Sequence, residues 1–175
     1  MTRPPVLHAT AIARWGAAGW RAVLLRGPSG SGKSDLALRA LSAGWRLVAD
    51  DRAVAWASQA RLYVRAPARL SGLVEARGLG VLAAAPLDIA AVGLVVDLVA
   101  SPDALERVPA VAWVEIEGVR LRQISLFGRE ASAPAKLALA LEAATLGAEP
   151  EASYQAGSAD VAEAPGAAPG ASQEE

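Results

Sequence analysis

Apolar and polar positions along the chain predict many short strands and only two helices. Residues 33–43 carry apolar side chains at helical spacing before Gly44, where a left-handed helix cap is expected. A second helix is predicted to run from an N-cap at Ser132 to Gly147. Apolar or alternating runs predict strands at residues 9–15, 20–26, 45–49, 53–57, 61–65, 72–76, 79–84, 93–99, 112–117 and 119–124.

The order of these elements limits the fold. A doubly wound nucleotide-binding fold alternates strands and helices regularly, and this chain does not. Residues 20–49 predict one strand–loop–helix–strand unit, which is followed by a strand-rich middle. The pattern therefore predicts a mixed α/β domain, and it argues against an ordinary GTPase or small-metabolite kinase.

Charge and composition divide the chain in two. Residues 148–175 contain six acids and no base among Ala, Gly, Pro and Ser without periodicity, so we expect a disordered acidic tail. Of the chain's 18 Asp+Glu and 17 Lys+Arg, this leaves 12 acids and 17 bases in a domain spanning residues 1–147. Such a mildly basic domain suits an anionic ligand but lacks the charge of a dedicated nucleic-acid-binding protein.

Several classes of protein are excluded or disfavoured. The chain has no cysteine, which excludes disulfides, thiolate zinc sites and cysteine nucleophiles, and its one histidine argues against a histidine-rich metal site. The most apolar window, residues 81–100, contains Pro86, Asp88 and Asp97, so it predicts a loop and a buried strand rather than a membrane span. Without a signal peptide, a cytoplasmic location is expected.

A phosphate-binding loop follows the strand at residues 20–26. The pattern G-x-x-x-x-G-K-[ST] is met at all its fixed positions, which are Gly27, Gly32, Lys33 and Ser34. The intervening residues of the loop are Pro28, Ser29, Gly30 and Ser31. Glycines let successive backbone N–H groups surround a phosphate, and the following helix points its positive end at the same anion. Lys33 would bridge the β- and γ-phosphates and Ser34 would ligate Mg²⁺, so we expect this chain to bind a nucleoside triphosphate.

Two predicted apolar strands end in or contain an aspartate. Asp50 and Asp51 follow residues 45–49, close to Lys33 if that strand runs parallel to residues 20–26. Adjacent carboxylates repel unless a cation or a proton holds them, which predicts a metal ligand or a general base. The alternative is that they simply begin a turn. Asp97 lies within the predicted strand 93–99, and the roles of magnesium ligand and structural residue both remain open for it.

Three motifs in order resemble the bacterial HPr kinase/phosphorylase family. They are GPSGSGKSD, GWRLVADDR and LVEARGLGVL, and the resemblance covers about residues 6–146. It implies a P-loop kinase domain with a fold like the nucleotide-binding core of phosphoenolpyruvate carboxykinase. It also implies ATP and Mg²⁺ as cofactors, HPr or an HPr-like phosphocarrier as protein substrate, and a homo-oligomer, a hexamer in the family. No nucleic acid or membrane partner is expected.

The resemblance also implies roles for individual residues. Asp51 would accept the seryl proton of HPr, with His8 holding it in place, and Arg77 is a further candidate for offsetting phosphoryl charge. Glu75 would ligate Mg²⁺ with Ser34, and Asp50 joins them from its position beside Asp51. The expected catalytic residues are His8, Lys33, Asp51 and Arg107.

The chain departs from the family at both ends of the motif region. Only seven residues precede His8, so the family's usual N-terminal domain is expected to be missing. The family's P-V-R-P-G-R-N segment is matched only at Gly128 and Arg129, which leaves the reverse, phosphorylase activity open. Besides an HPr kinase, the sequence leaves two readings: a P-loop ATPase or small-molecule kinase with another substrate, and a nucleotide-sensing module whose tail binds a partner.

Overall fold

The computed structural model describes residues 4–147, and the predicted acidic tail lies outside the described residues. Two α-helices and two short 3₁₀ turns accompany the strands in this part of the chain. The helices are α1 (Lys33–Ser42) and α2 (Ala133–Leu146). The strands are β1 (Val6–His8), β2 (Thr10–Gly16), β3 (Gly19–Arg26), β4 (Arg46–Ala49), β5 (Arg52–Ser58), β6 (Arg61–Arg65), β7 (Leu73–Ala76), β8 (Gly80–Ala83), β9 (Ala90–Leu98), β10 (Ala112–Ile116) and β11 (Val119–Leu126).

Nine of these strands form one mixed sheet, in the order β1-β5-β6-β9-β3-β2-β4. Strand β9 lies at its centre because it is apolar apart from Asp97 and pairs on both sides. One edge of β9 runs parallel to β3; the other pairs first with β6 and then, in parallel, with β11, which carries β10 as an outer neighbour. Strands β7 and β8 form a separate hairpin.

The sheet topology brings the ends of β3 and β4 to the same edge. Both strands pair antiparallel with β2, which lies between them, so they run in the same direction. The phosphate loop leaves β3 at this edge, and Asp50 and Asp51 leave β4 at it. The expected proximity of the two acids to Lys33 therefore holds, although the two strands are not direct neighbours.

Alternating side chains supply a hydrophobic core on each face of the sheet. Val23 and Leu25 of β3 join the core that α1 and α2 cover, which includes Leu36 and Leu137. The intervening Leu24 joins the second core, where small residues of β2 meet side chains of β5, β6 and β11. Many of the chain's 42 alanines fill this second core, which lets strands approach where no helix covers the sheet.

The predicted elements recur with small shifts at their ends, and two details were wrong. Strand β1 was missed because three residues carry no detectable period, and β9 begins three residues earlier than predicted. Ser132 occupies the N-cap position of α2, but its side chain makes no capping hydrogen bond. Gly44 and Gly147 both adopt positive φ at the helix ends, as predicted. Among the described residues, no helix has the length and apolar character needed to cross a membrane.

Candidate active site

A cleft of about 450 Å³ lies at the edge of the sheet where β3 and β4 end. Its size is in the range of ordinary small-molecule sites. The phosphate loop and the first turn of α1 form one wall, and the β7–β8 hairpin contributes another. Residues lining it include Ser29, Gly30, Gly32, Lys33, Ser34, Asp50, Asp51, Glu75, Arg77 and Arg129.

The glycines that begin and end the loop are required by its geometry. Gly27 has a φ of +148°, and a Cβ at this position would lie 2.7 Å from the Ser31 hydroxyl oxygen. Gly32 has a φ of +95° and caps α1, whose first helical bond runs from the Leu36 amide to its carbonyl. The Ser31 hydroxyl is buried without a hydrogen-bond partner among the described residues. The loop therefore keeps a tight anion-binding turn at the positive end of a helix.

Lys33 is the buried cation of the site, with 6% of its surface exposed. Its ammonium group donates to the carbonyls of Gly27 at 2.9 Å and Pro28 at 3.1 Å. These two bonds hold the side chain across its own loop. Because an ammonium group has three donors, Lys33 can exchange loop carbonyls for phosphate oxygens without leaving this position.

Lys33, His8 and Asp51 form a line of contacts. The His8 Nδ1 lies 3.1 Å from a carboxylate oxygen of Asp51, and its Nε2 lies 3.5 Å from the Lys33 ammonium. A neutral imidazole protonated at Nδ1 satisfies both contacts, because it donates to Asp51 and accepts from Lys33. The Asp51 side chain is 59% exposed, so its carboxylate remains accessible to an incoming group.

Unlike its neighbour Asp51, Asp50 is buried, and its carboxylate accepts three hydrogen bonds. One carboxylate oxygen accepts from the Thr10 hydroxyl at 2.8 Å and the Ser34 hydroxyl at 2.9 Å. The other accepts from the backbone N–H of Glu75 at 3.0 Å. The carboxylate thus ties β2, α1 and β7 together beneath the cleft.

The predicted magnesium ligands are brought together only in part. Ser34, Asp50 and Glu75 all line the cleft, and Ser34 contacts Asp50 directly. No cluster of three or more His, Cys, Asp or Glu side chains suited to a metal occurs among residues 4–147. Mg²⁺ bound together with a nucleotide does not need such a cluster, because it takes one or two carboxylates and completes its shell with phosphate oxygens and water.

Arg129 reaches the same cleft from the segment between β11 and α2. Its guanidinium donates to the carbonyl of Gly30 at 2.9 Å. Arg39 of α1 fixes this segment by donating to the carbonyls of Gly128 and Glu130, on either side of Arg129. Arg129 therefore adds positive charge at the phosphate loop itself, and the exposed Arg77 adds a second positive charge to the lining of the cleft.

Comparison with known families decides where the chain belongs. Residues 19–126 match the family model described as the HPr serine kinase C-terminal domain. The chain belongs to this family. The match begins at β3 and includes the phosphate loop, both adjacent aspartates and the β7–β8 hairpin.

Curated relatives in the HPr serine kinase family agree over shorter stretches. The HPr kinase/phosphorylase of Clostridium tetani is 36% identical over 83 residues, which are 43% of this chain and 27% of that protein. The proteins of the same name from Leptothrix cholodnii and Levilactobacillus brevis are 49% and 44% identical over 61 residues. Those alignments cover 34% of this chain and 19% and 20% of the respective relatives. The aligned part thus spans about a quarter or less of these relatives.

A solved structure carries the same fold. The Hpr(Ser) kinase/phosphatase of Coxiella burnetii superposes with a TM-score of 0.68 at 21% identity. The superposition covers 82% of this chain and 97% of that one. The mixed, strand-rich α/β architecture predicted from the sequence is therefore that of an HPr kinase structure.

Two residues that the sequence offered as candidates for the site, Arg107 and Asp97, are not among the residues that line the cleft. Arg107 is exposed in the connection between β9 and β10. Asp97 pairs with Arg26 through two hydrogen bonds of 2.8 Å and accepts another from Gln123. It joins β3, β9 and β11, so its position here is structural.

Thr10 was missed by the sequence reasoning. Its hydroxyl is buried, donates to Asp50 and accepts from the Asp51 amide at 3.4 Å. An isolated threonine in a weakly alternating strand gives no sequence signal for this role. The sequence identified Arg129 only as a residue that matches the family's segment before the second helix. Its contact with Gly30 joins residues 99 positions apart, so no local pattern predicts it.

Proposed function

We propose that this chain is an ATP-dependent protein kinase that phosphorylates a serine of HPr or an HPr-like phosphocarrier. The observation that carries the proposal is the line from the buried Lys33 through His8 to the accessible Asp51 carboxylate. It joins a phosphate-binding group to a proton acceptor at one edge of the sheet. Membership of the HPr serine kinase family supports the choice of protein substrate.

Asp51 would act as the base in phosphoryl transfer. The seryl oxygen attacks the γ-phosphorus of ATP, the bond to the β,γ-bridging oxygen breaks, and the seryl proton passes to the Asp51 carboxylate as ADP leaves. His8 orients that carboxylate through its Nδ1 contact of 3.1 Å. Because Asp51 is exposed at the rim, a serine on another protein can approach it without entering the domain.

The remaining charges of the cleft would bind and orient the triphosphate. Lys33, the loop amides and the N-terminal end of α1 would contact the phosphates, and Arg77 and Arg129 would add positive charge from the lining of the cleft. When bound, Mg²⁺ would offset phosphate charge, with Ser34, Asp50 and Glu75 as its protein ligands. This arrangement supports a P-loop core of the phosphoenolpyruvate carboxykinase type.

A phosphotransfer assay tests the function. Purified protein should move label from γ-labelled ATP to a serine of HPr, and Asp51→Asn should abolish transfer while ATP affinity stays within about threefold. Asp88→Asn, an exposed aspartate outside the cleft, is the matched control and should transfer normally. Near-wild-type transfer by Asp51→Asn would refute its assigned role.

The same assay separates the other readings. ATP hydrolysis without transfer to HPr would indicate an ATPase or a kinase with another substrate. Tight ATP binding without turnover would indicate a nucleotide sensor.

Incubation of phospho-HPr with inorganic phosphate measures the reverse reaction. Arg107→Ala tests the proposed catalytic arginine, and sedimentation and cell fractionation test the proposed homohexamer and cytoplasmic location.

A further inference from the structure

A second cavity lies at the opposite end of β3 from the phosphate loop. It has a volume of about 130 Å³ and separates the β2–β3 hairpin from the last two turns of α2. Trp15 of the hairpin and Leu141 and Leu146 of α2 give it apolar walls. Trp15 is 64% exposed and Leu146 61% exposed, although both lie beside this cavity. Apolar side chains left open in this way mark a surface that another segment can cover.

Two arginines make the cavity basic. Arg14 and Arg21 are directly opposed in the β2–β3 register, and both line it. Like charges placed opposite each other on one face of a sheet destabilise the pair. Within residues 4–147, no carboxylate lies within ion-pair distance of either arginine, even though Glu142 lines the same cavity. The pair therefore has room for an anionic partner.

The C-terminal end of α2 does not take up these charges. Among residues 4–147, Arg21 donates only to the backbone carbonyl of its neighbour Trp20, at 3.0 Å, and neither Arg14 nor Arg21 donates to a carbonyl of α2. The carbonyls at the end of α2 therefore leave the guanidinium donors of both arginines available.

The described part of the chain ends beside this cavity, and the acidic segment follows it in sequence. Leu146 lines the cavity, and Gly147 turns the chain with a φ of +69°. Glu149 and Glu151 follow two and four residues later, in a segment of 28 residues (148–175) with six acids and no base. Four residues span at most about 14 Å, so both glutamates stay within reach of the cavity.

We propose that residues 148–152 dock on this cavity, with Glu149 and Glu151 pairing with Arg14 and Arg21. In an extended segment, residues two apart point to the same side, which presents both carboxylates to the opposed arginines. A tethered segment also meets the cavity at a high effective concentration, an advantage that a separate acidic partner lacks. The site is remote from the nucleotide cleft and independent of the proposed kinase activity.

Spin labelling of the full-length chain tests the docking. Because the protein has no cysteine, Ala152→Cys places a single nitroxide beside the acidic residues. We expect strong paramagnetic broadening of the Trp15 indole and of amides in residues 14–21. Arg14→Gln with Arg21→Gln should reduce that broadening several-fold, as should 1 M salt, which screens the pairs.

Two further variants provide the controls. Arg61→Gln with Arg65→Gln removes two exposed arginines of β6 and should leave the broadening unchanged. Glu149→Gln with Glu151→Gln should reduce it without altering the folded domain. Broadening that ignores the Arg14 and Arg21 substitutions and salt would overturn the proposal, since the tether alone would then explain it. A mixed sample combines isotope-labelled protein without a nitroxide and nitroxide-labelled protein of natural isotopic composition. Broadening of the isotope-labelled protein in this sample would also overturn the proposal, because the docked segment would then belong to a second molecule.

Discussion

Asp50 and Asp51 are neighbours of the same type with opposite roles, and their surroundings explain the difference. Asp50 is 8% exposed and accepts three hydrogen bonds, so its charge is compensated inside the protein. Asp51 has a φ of +60°, a conformation that aspartate tolerates better than most residues. That backbone turns its side chain outward toward His8 and the solvent. One residue therefore organises the cleft, and the next is available for chemistry.

Replacing Asp50 should reduce stability. In Asp50→Asn, the amide cannot accept all three hydrogen bonds, and the hydroxyls or the Glu75 amide lose a partner. We expect a loss of about 1–3 kcal/mol in the free energy of unfolding, measured by urea denaturation. Asp88→Asn, at an exposed position, should change it by less than about 0.5 kcal/mol. Equal stability of the two variants would contradict the structural role of Asp50.

Gly27 should be intolerant of a side chain. In Gly27→Ala, the added methyl group would lie 2.7 Å from the Ser31 hydroxyl oxygen and would also strain a φ of +148°. We expect at least about a tenfold loss in ATP affinity, measured by calorimetry. A distorted loop that lowers the binding free energy by about 1.4 kcal/mol is enough for that factor. Gly16→Ala is the matched control, since a Cβ there meets no atom within 4 Å. Unchanged affinity in Gly27→Ala would show that the loop can relax.

At the scale of elements, α2 rests on β9 through a glycine. A Cβ at Gly93 would lie 2.9 Å from a methyl group of Leu141 and 3.2 Å from the Thr145 hydroxyl. This close approach lets the buried Leu137 and Leu141 reach the core beneath the helix. The alanine-rich sequence of α2 has little amphipathic pattern of its own, so its orientation depends on this contact.

Filling the space at Gly93 should displace α2. Gly93→Val improves strand propensity but forces the helix away, and we expect a net loss of about 1–3 kcal/mol in the free energy of unfolding. Leu141→Ala alone should lose about 2–5 kcal/mol through the cavity it leaves. Their combination should lose clearly less than the sum, because each change accommodates the other. Strict additivity in thermal or urea unfolding would argue against direct contact.

At the scale of the whole molecule, ligand binding should be coupled to unfolding. The cleft combines groups from β4, α1, β7 and the segment before α2, so a nucleotide bound there holds separate elements together. At 100 times its dissociation constant, Mg-ATP should stabilise the native state by about 2.7 kcal/mol and raise Tm by several degrees. Lys33→Met should remove most of that shift in a thermal scan. A shift retained in this variant would place the triphosphate elsewhere.

The sequence by itself determined the phosphate loop, most of the strands and both helices. Those features rest on local properties: apolar periodicity, glycines at turns and a contiguous motif. It also placed Asp50 and Asp51 at a strand end, but their proximity to Lys33 depended on a parallel orientation that the sheet supplies through β2. Only the tertiary structure decided which aspartate is buried, that Asp97 pairs with Arg26, and that Arg107 lies outside the cleft. Thr10 and Arg129 reach the site across 40 and 99 residues. Contacts of that kind depend on sheet order, which no local pattern encodes.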